Sequence, residues 1–167
     1  MDLELKRGMI ATAGPRANWD YEAILANARA LQQMVLAGKC QTLLEGKHVA
    51  ILSGDYRSGS ADMFVSAARG LGAQVAEVRT GPWIDLPRVE IKRMAAVLEH
   101  LYAAVECQGT RHSIVQLIEA AAHIPVYDHI ASPDHPTARI AEKLEGSASR
   151  DEKRRLVLQA VLIGTIA

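Results

Sequence analysis

From about residue 20 onward, short apolar runs alternate with longer stretches whose apolar residues recur every three or four positions. Residues 49–52 (Val-Ala-Ile-Leu) form an apolar, partly β-branched run that breaks at Ser53-Gly54-Asp55, which predicts a buried strand. Met63, Phe64, Ala67, Ala68 and Leu71 then fall on one face of a helix that Ser58 or Ser60 caps and Gly72 stops. A second strand follows at 74–78. Thr80-Gly81-Pro82-Trp83 opens a loop to about Pro87, and Val89, Met94, Val97 and Leu98 space a helix over 88–98. Residues 101–105 predict a third strand ending at Glu106-Cys107. Ser113 caps a further helix with Ile114, Leu117, Ile118 and Ala121 inward, and 124–127 make a fourth strand. Ahead of this series, residues 1–16 read as a loose N-terminal arm, and Asn18 caps a helix facing the core through Ile24, Ala28, Leu31 and Val35 until Gly38. Behind it, 145–149 is a polar linker, and 150–167 hold a closing helix with Leu156, Ala160 and Ile163 on one side.

Strand and helix alternating in this way define an α/β fold: a three-layer α-β-α sandwich around a four-stranded parallel sheet, with right-handed crossovers. In such sheets ligands bind beyond the carboxyl ends of the strands. Those ends are Ser53 to Ser60, Thr80, Cys107 and Asp128 to His135. The loop from Gly54 to Ser60 is small and polar and runs into a helix N-terminus, so its backbone N–H groups suit a small anion.

Composition narrows the classes. At 167 residues the chain fits one domain with a proper core. Its formal net charge of zero argues against a nucleic-acid partner, since no basic stripe is present. No apolar run reaches membrane-spanning length, and residues 1–16 lack the basic-then-apolar layout of a signal peptide. The expectation is therefore a cytoplasmic protein. Cys40 and Cys107 have no CxxC spacing and fit reduced thiols in that compartment.

Further residues have structural explanations. His123, His129 and His135 are spaced by six, with Asp128 and Asp134 between; this matches no standard zinc pattern, so no metal or other cofactor is expected. Cys107 reads as a buried strand-end thiol. Lys92-Arg93 and Lys153-Arg154-Arg155 read as solvated helix faces, and Asp151 and Glu152 suit a helix N-terminus.

Two segments resemble the aspartate and ornithine carbamoyltransferases. The stretch from residue 49 to Leu71-Gly72-Ala73 is similar to their carbamoyl-phosphate-binding domain, whose loop reads Ser-Thr-Arg-Thr-Arg. Aligned without gaps from Leu71-Gly72-Ala73, the five loop positions fall on Arg57, Ser58, Gly59, Ser60 and Ala61. Ile124-Pro125-Val126-Tyr127-Asp128, followed by His135-Pro136-Thr137-Ala138, resembles the family's Val-Pro-Val-Ile-Asn and His-Pro-Thr/Cys-Gln. Leu44-Glu45-Gly46-Lys47 matches its turn into the first strand. After His135-Pro136-Thr137 the family continues into a second, amino-acid-binding domain, for which this chain has only the linker at 145–149.

The resemblance implies a ligand site at Arg57, Ser58, Gly59, Ser60, Cys107, His135, Pro136 and Thr137, with His135 contacting the carbamoyl carbonyl if the protein is active. Ser58 and Ser60 stand where the loop threonines do, as hydroxyl donors or as helix caps; His135 either contacts ligand or fixes the turn. Gly59 replaces one family arginine, Cys107 another, and Ala138 the glutamine that grips the carbamoyl amide. Arg57, with a shift of loop register, and Arg111 are the arginines that could compensate; each otherwise reads as a solvated surface arginine. The resemblance thus implies a carbamoyltransferase-like protein that binds carbamoyl phosphate or a similar anion without transferring the carbamoyl group alone. The alternatives are a transferase completed by a separate acceptor-binding chain and a non-catalytic assembly partner of a full-length enzyme. The family's assembly implies a homotrimer.

Overall fold

A computed structural model describes residues 20–39, 42–54 and 59–166. The arm at 1–16, Asn18, Cys40, Arg57 and Ser58 lie outside them. The alternation of apolar runs and helical stripes folds as β1 (His48–Ser53), α2 (Gly59–Gly70), β2 (Gln74–Arg79), α3 (Arg88–Leu101), β3 (Ala104–Gln108), α4 (His112–Ala121), β4 (Val126–Asp128) and α5 (Pro136–Glu142). α1 (Tyr21–Leu36) precedes this series and α6 (Arg150–Ile166) follows it. The four strands form an all-parallel sheet in the order β2-β1-β3-β4, with Ile51 of β1 level with Glu77 on one side and Glu106 on the other.

Side chains alternate across the sheet and divide the core in two. Val49, Ile51, Ala104 and Tyr127 face the layer of α1, α2, α5 and α6, where Phe64 and Tyr127 pack with ring centroids 6.2 Å apart. Ala50, Leu52, Val105, Cys107 and Val126 face α3 and α4. This is the expected three-layer α/β sandwich with helices on both sides. Its helix ends follow from local chemistry. Asp20 caps α1 by accepting from the Ala23 amide at 2.9 Å, and Gly72, at φ +87°, lets the Ala73 amide reach back to the Ala68 carbonyl at the end of α2.

Several boundaries and faces differ from the sequence expectation. β3 runs from Ala104 to Gln108 instead of starting at Leu101, which belongs to the last turn of α3 and is 59% exposed. Polar burial hides the far end of β3: Gln108 is enclosed in the strand as Glu106 is, whereas a search for apolar runs ends at Glu106-Cys107. β4 begins at Val126 because Pro125 has no N–H to give the ladder. In α3 the buried stripe is Ile91, Ala95 and Leu98, a regular i, i+4, i+7 set, while Val89 and Val97 point outward. Val35, in the last turn of α1, is also exposed. Arg111, not Ser113, occupies the cap position of α4.

The largest departure is α6. Every residue from Leu156 to Gly164 is buried, so the helix is enclosed on all sides instead of along one stripe. It packs against α1, α2 and α5, and Gln159 donates to the Ala67 carbonyl at 3.2 Å. A buried aliphatic side chain contributes about 1.5–3 kcal/mol, so this run is a major part of the core. No described helix is long and apolar enough to cross a membrane.

Candidate functional site at the strand ends

The sheet order places a topological switch point between β1 and β3. α2 leaves β1 toward one face, α3 and α4 cover the other, and the crevice beyond the two strand ends is where this architecture binds ligands. Backbone approach closes the crevice floor. The Gly54 amide donates to the Gln108 carbonyl at 2.8 Å, and a Cβ at Gly54 would lie 2.1 Å from the Gly109 carbonyl oxygen. Thr80 and Thr110 join this floor with hydroxyls 3.0 Å apart, and Thr80 also donates to the Ser53 carbonyl at 3.1 Å.

Of the residues expected at the site, Gly59 and Ser60 open α2, whose first turn starts at the C-terminal edge of the sheet. A Cβ at Gly59 would meet no atom within 4 Å. His135 caps α5, and Pro136 occupies its first turn, where a missing N–H costs nothing. Arg111 stands exposed at the turn between β3 and α4. Cys107 bears out the reading of a buried strand-end thiol, not that of a ligand residue. It lies inside β3, fully buried on the α3/α4 side, and does not reach the crevice; β3 continues one residue further. Burial, reinforced by Glu106 and Asp128, pushes its thiol well above the ordinary range, which leaves it protonated and unreactive.

The state of His135 follows from its bonds. Nδ1 accepts from the Thr137 amide at 3.2 Å, while the Thr137 hydroxyl donates to the Ile130 carbonyl at 2.6 Å. The ring proton therefore sits on Nε2, making that nitrogen a donor. Burial lowers the imidazole pKa from 6.5 to about 4, with Asp128 opposing and Arg154 and His129 assisting. At neutral pH the ring is an uncharged donor, the form that suits a carbonyl oxygen.

A pH dependence follows. The folded pKa lies below the unfolded value, so the stabilisation is complete above pH 6.5 and is lost as pH falls toward 4. In urea unfolding, the advantage of the wild type over His135→Asn, which keeps an acceptor at the cap, is expected to change by up to ~2 kcal/mol between pH 7.5 and 4.5, after allowance for partial exposure. An advantage independent of pH would remove His135 from this role.

Sequence reasoning missed a group beside it. Asp128 at the end of β4 accepts from His129 Nδ1 at 2.5 Å and from His112 Nδ1 at 2.9 Å. His129 Nε2 in turn accepts from the Gly109 amide at 2.8 Å, which ties the β4–α5 turn to the β3–α4 turn. His129 is left-handed at φ 56°, a conformation uncommon outside glycine and stabilised here by these two bonds. The His129 hydrogen bond, with His112 adding to it against burial, holds the Asp128 carboxyl below its usual range. The signal available in sequence was an Asp-His pair at a predicted strand end. His123 lies at the opposite end of β4, paired with Glu99 at 3.0 Å, so the three six-spaced histidines do not converge. Among the described residues no group of three or more His, Cys, Asp or Glu is arranged to hold a metal ion.

Lys153-Arg154-Arg155 is corrected as well: all three are partly buried, and Arg154 donates to the carbonyls of Ala131 and Ser132 in the loop that carries His135.

Fold and strand order together define a parallel α/β protein with a switch point between β1 and β3. No family model matches the chain. Ornithine carbamoyltransferase from Haemophilus influenzae is 30% identical over 125 residues, covering 75% of this chain and 37% of the enzyme. The ornithine carbamoyltransferase of Cutibacterium acnes is 24% identical over 144 residues, 86% of this chain and 43% of the enzyme. Among solved structures, ornithine carbamoyltransferase from Pyrococcus furiosus shares the fold with a TM-score of 0.59 at 24% identity, over 74% of this chain and 39% of that one. Aspartate transcarbamoylase from Trypanosoma cruzi, solved with aspartate and phosphate, has a TM-score of 0.62 at 17% identity, over 82% and 44%. The relatives in sequence are thus ornithine carbamoyltransferases, the neighbours in fold are ornithine and aspartate carbamoyltransferases, and the chain matches a single-domain portion of such enzymes. It spans about two fifths of the length of the relatives it matches.

Proposed function

We propose that this chain acts as the carbamoyl-phosphate half of a carbamoyltransferase-like protein, binding carbamoyl phosphate or a similar small anion at the strand ends without transferring the carbamoyl group alone. The observation that carries this reading is His135: a neutral Nε2 donor at the N-terminus of α5, beyond the carboxyl end of the sheet, suited to a carbonyl oxygen. Transfer requires attack of an amine on the carbamoyl carbon with phosphate leaving, and each donor aimed at the developing oxyanion is typically worth ~10²–10³ in rate. Gly59 and Ala138 supply no side-chain donor, and Cys107 is enclosed. Binding is retained on this reading, and acceleration is not.

Calorimetric titration of the full chain with carbamoyl phosphate, with phosphate and sulfate alongside, tests the reading. Saturable binding of carbamoyl phosphate, stronger than phosphate and weakened by Arg57→Ala, is expected. Heat from none of the three anions would overturn it. Gly59→Arg provides a gain-of-function arm. A Cβ at this position, at the start of α2, meets no atom within 4 Å, and a guanidinium there is expected to tighten carbamoyl phosphate by about tenfold or more through a charge-assisted, bidentate contact.

A further inference from the structure

Two imidazole rings beside the strand-end crevice carry opposite tautomers. His135 keeps its proton on Nε2, whereas His129 keeps its proton on Nδ1, because the Gly109 amide is a donor and reaches His129 Nε2 at 2.8 Å. That Nδ1–H is given to Asp128, whose carboxyl is held below its usual range and so remains an acceptor at any pH where histidine titrates. Nε2 is therefore the position in this chain of bonds that a proton reverses. Protonated, it is a donor facing the Gly109 N–H, and the bond is lost. Gly109 is central to the crevice floor. Its carbonyl oxygen lies where a Cβ on Gly54 would, and its own φ is +63°. It stands between Gln108, which accepts from the Gly54 amide, and Thr110, whose hydroxyl is 3.0 Å from that of Thr80. His129 itself stands at φ 56°, a conformation that its two ring bonds maintain.

We infer that His129 is a positioning residue for the strand-end site and that its neutral ring is the working form: a proton on Nε2 releases Gly109, loosens the floor under Gly54 and lowers anion affinity. The effect on affinity rests on the proposed anion binding; the His129–Gly109 latch does not. Its direction is opposite to that of charge alone, since a proton added near an anion site attracts the anion. Other titratable groups face the same carboxylate. His112 of α4 bonds Asp128 at 2.9 Å, and Glu119 of α4, Glu106 and Cys107 of β3 and His135 before α5 lie within its field, with Arg154 of α6 facing His135. His135, lowered to about 4, is uncharged over most of the range in which histidine ordinarily titrates.

The test follows the Gly109 amide and the His129 ring by NMR, and carbamoyl phosphate binding by calorimetry, on the full chain from about pH 8 to 5, the range over which histidine ordinarily changes charge. His129→Gln puts an amide oxygen near the place of Nε2, keeping the acceptor without taking up a proton. His112→Asn keeps a donor toward Asp128 and does not titrate. In the wild type and in His112→Asn, protection of the Gly109 amide from exchange, corrected for the intrinsic rate, is expected to fall about fivefold to tenfold as the His129 ring titrates. His129→Gln is expected to show no such transition. The affinity of the wild type relative to His129→Gln is expected to fall about threefold to tenfold toward acid, a ratio from which ligand ionisation and the shared Glu106 and Glu119 cancel. A Gly109 amide that does not follow the His129 ring, which needs no variant to observe, overturns the inference. So does a transition that survives in His129→Gln, or an affinity ratio that stays level or rises toward acid. If the Gly109 transition is present and carbamoyl phosphate binds at no pH, the strand-end proposal falls and the latch stands.

Discussion

Gly54→Ala is expected to destabilise the protein by about 3 kcal/mol or more and to abolish anion binding at the strand ends, the larger of the two main effects. The added methyl would sit 2.1 Å from the Gly109 carbonyl oxygen and 2.7 Å from its carbonyl carbon. Both are backbone atoms, so no side-chain rotation relieves the overlap. The backbone of Gly109 is itself constrained at φ +63°, with its amide donated to His129, and Gly54 is fixed by its bond to Gln108. The strain is relieved only by separating β1 from β3 at the switch point, which breaks the Gly54–Gln108 bond and widens the crevice. Urea unfolding and calorimetry read the two consequences separately. Wild-type stability in this variant would show that the close approach is not obligatory.

Glu106→Gln is expected to stabilise the protein at pH 8 and to change little at pH 4. Glu106 stands between Ile51 and Tyr127 on the face covered by α2, α5 and α6, and it is fully buried. Oε1 accepts from Gln108 Nε2 at 2.6 Å. Oε2 is buried without a partner in hydrogen-bond geometry, and the Ile130 amide offsets only part of the cost. Burial pushes the carboxyl well above its ordinary range, Asp128 adds to the shift, and Gln108 opposes it.

A folded pKa above the unfolded value of 4.5 means that the stabilising contribution is complete below pH 4.5 and is lost as pH rises toward the folded pKa. Glutamine keeps the acceptor for Gln108 and cannot ionise. The gain at pH 8 is expected to be ~1–3 kcal/mol, the usual range for an ill-satisfied buried polar group. Denaturant midpoints at the two pH values measure it; a variant less stable at pH 8 would mean that the charged carboxylate has a partner worth more than its burial costs.

Much of the fold could be read along the chain because the signals are local. A run such as 49–52 has neither the polar breaks nor the length for a surface helix, and the Phe64, Ala67, Ala68 and Leu71 spacing allows one conformation. His135 before Pro136 marked a helix start for the same reason, since the cap and the missing N–H act within one turn. Glu106 was legible only as the end of β3, and Gln108 not at all, because their burial depends on α-layer packing from distant parts of the chain. Arg154 passed for a solvated face because the carbonyls it clasps lie more than twenty residues away.

By itself, then, the sequence determined the alternation of elements, the parallel α/β class and the candidate ends of the strands, since hydrophobic period and capping act over a few residues. Tertiary structure alone decided which groups meet there: Gly54 against Gly109, Asp128 against His112, and Arg154 on the Ala131 and Ser132 carbonyls. Those contacts join segments far apart along the chain, and close packing and pairwise electrostatics fix them only after the layers have assembled.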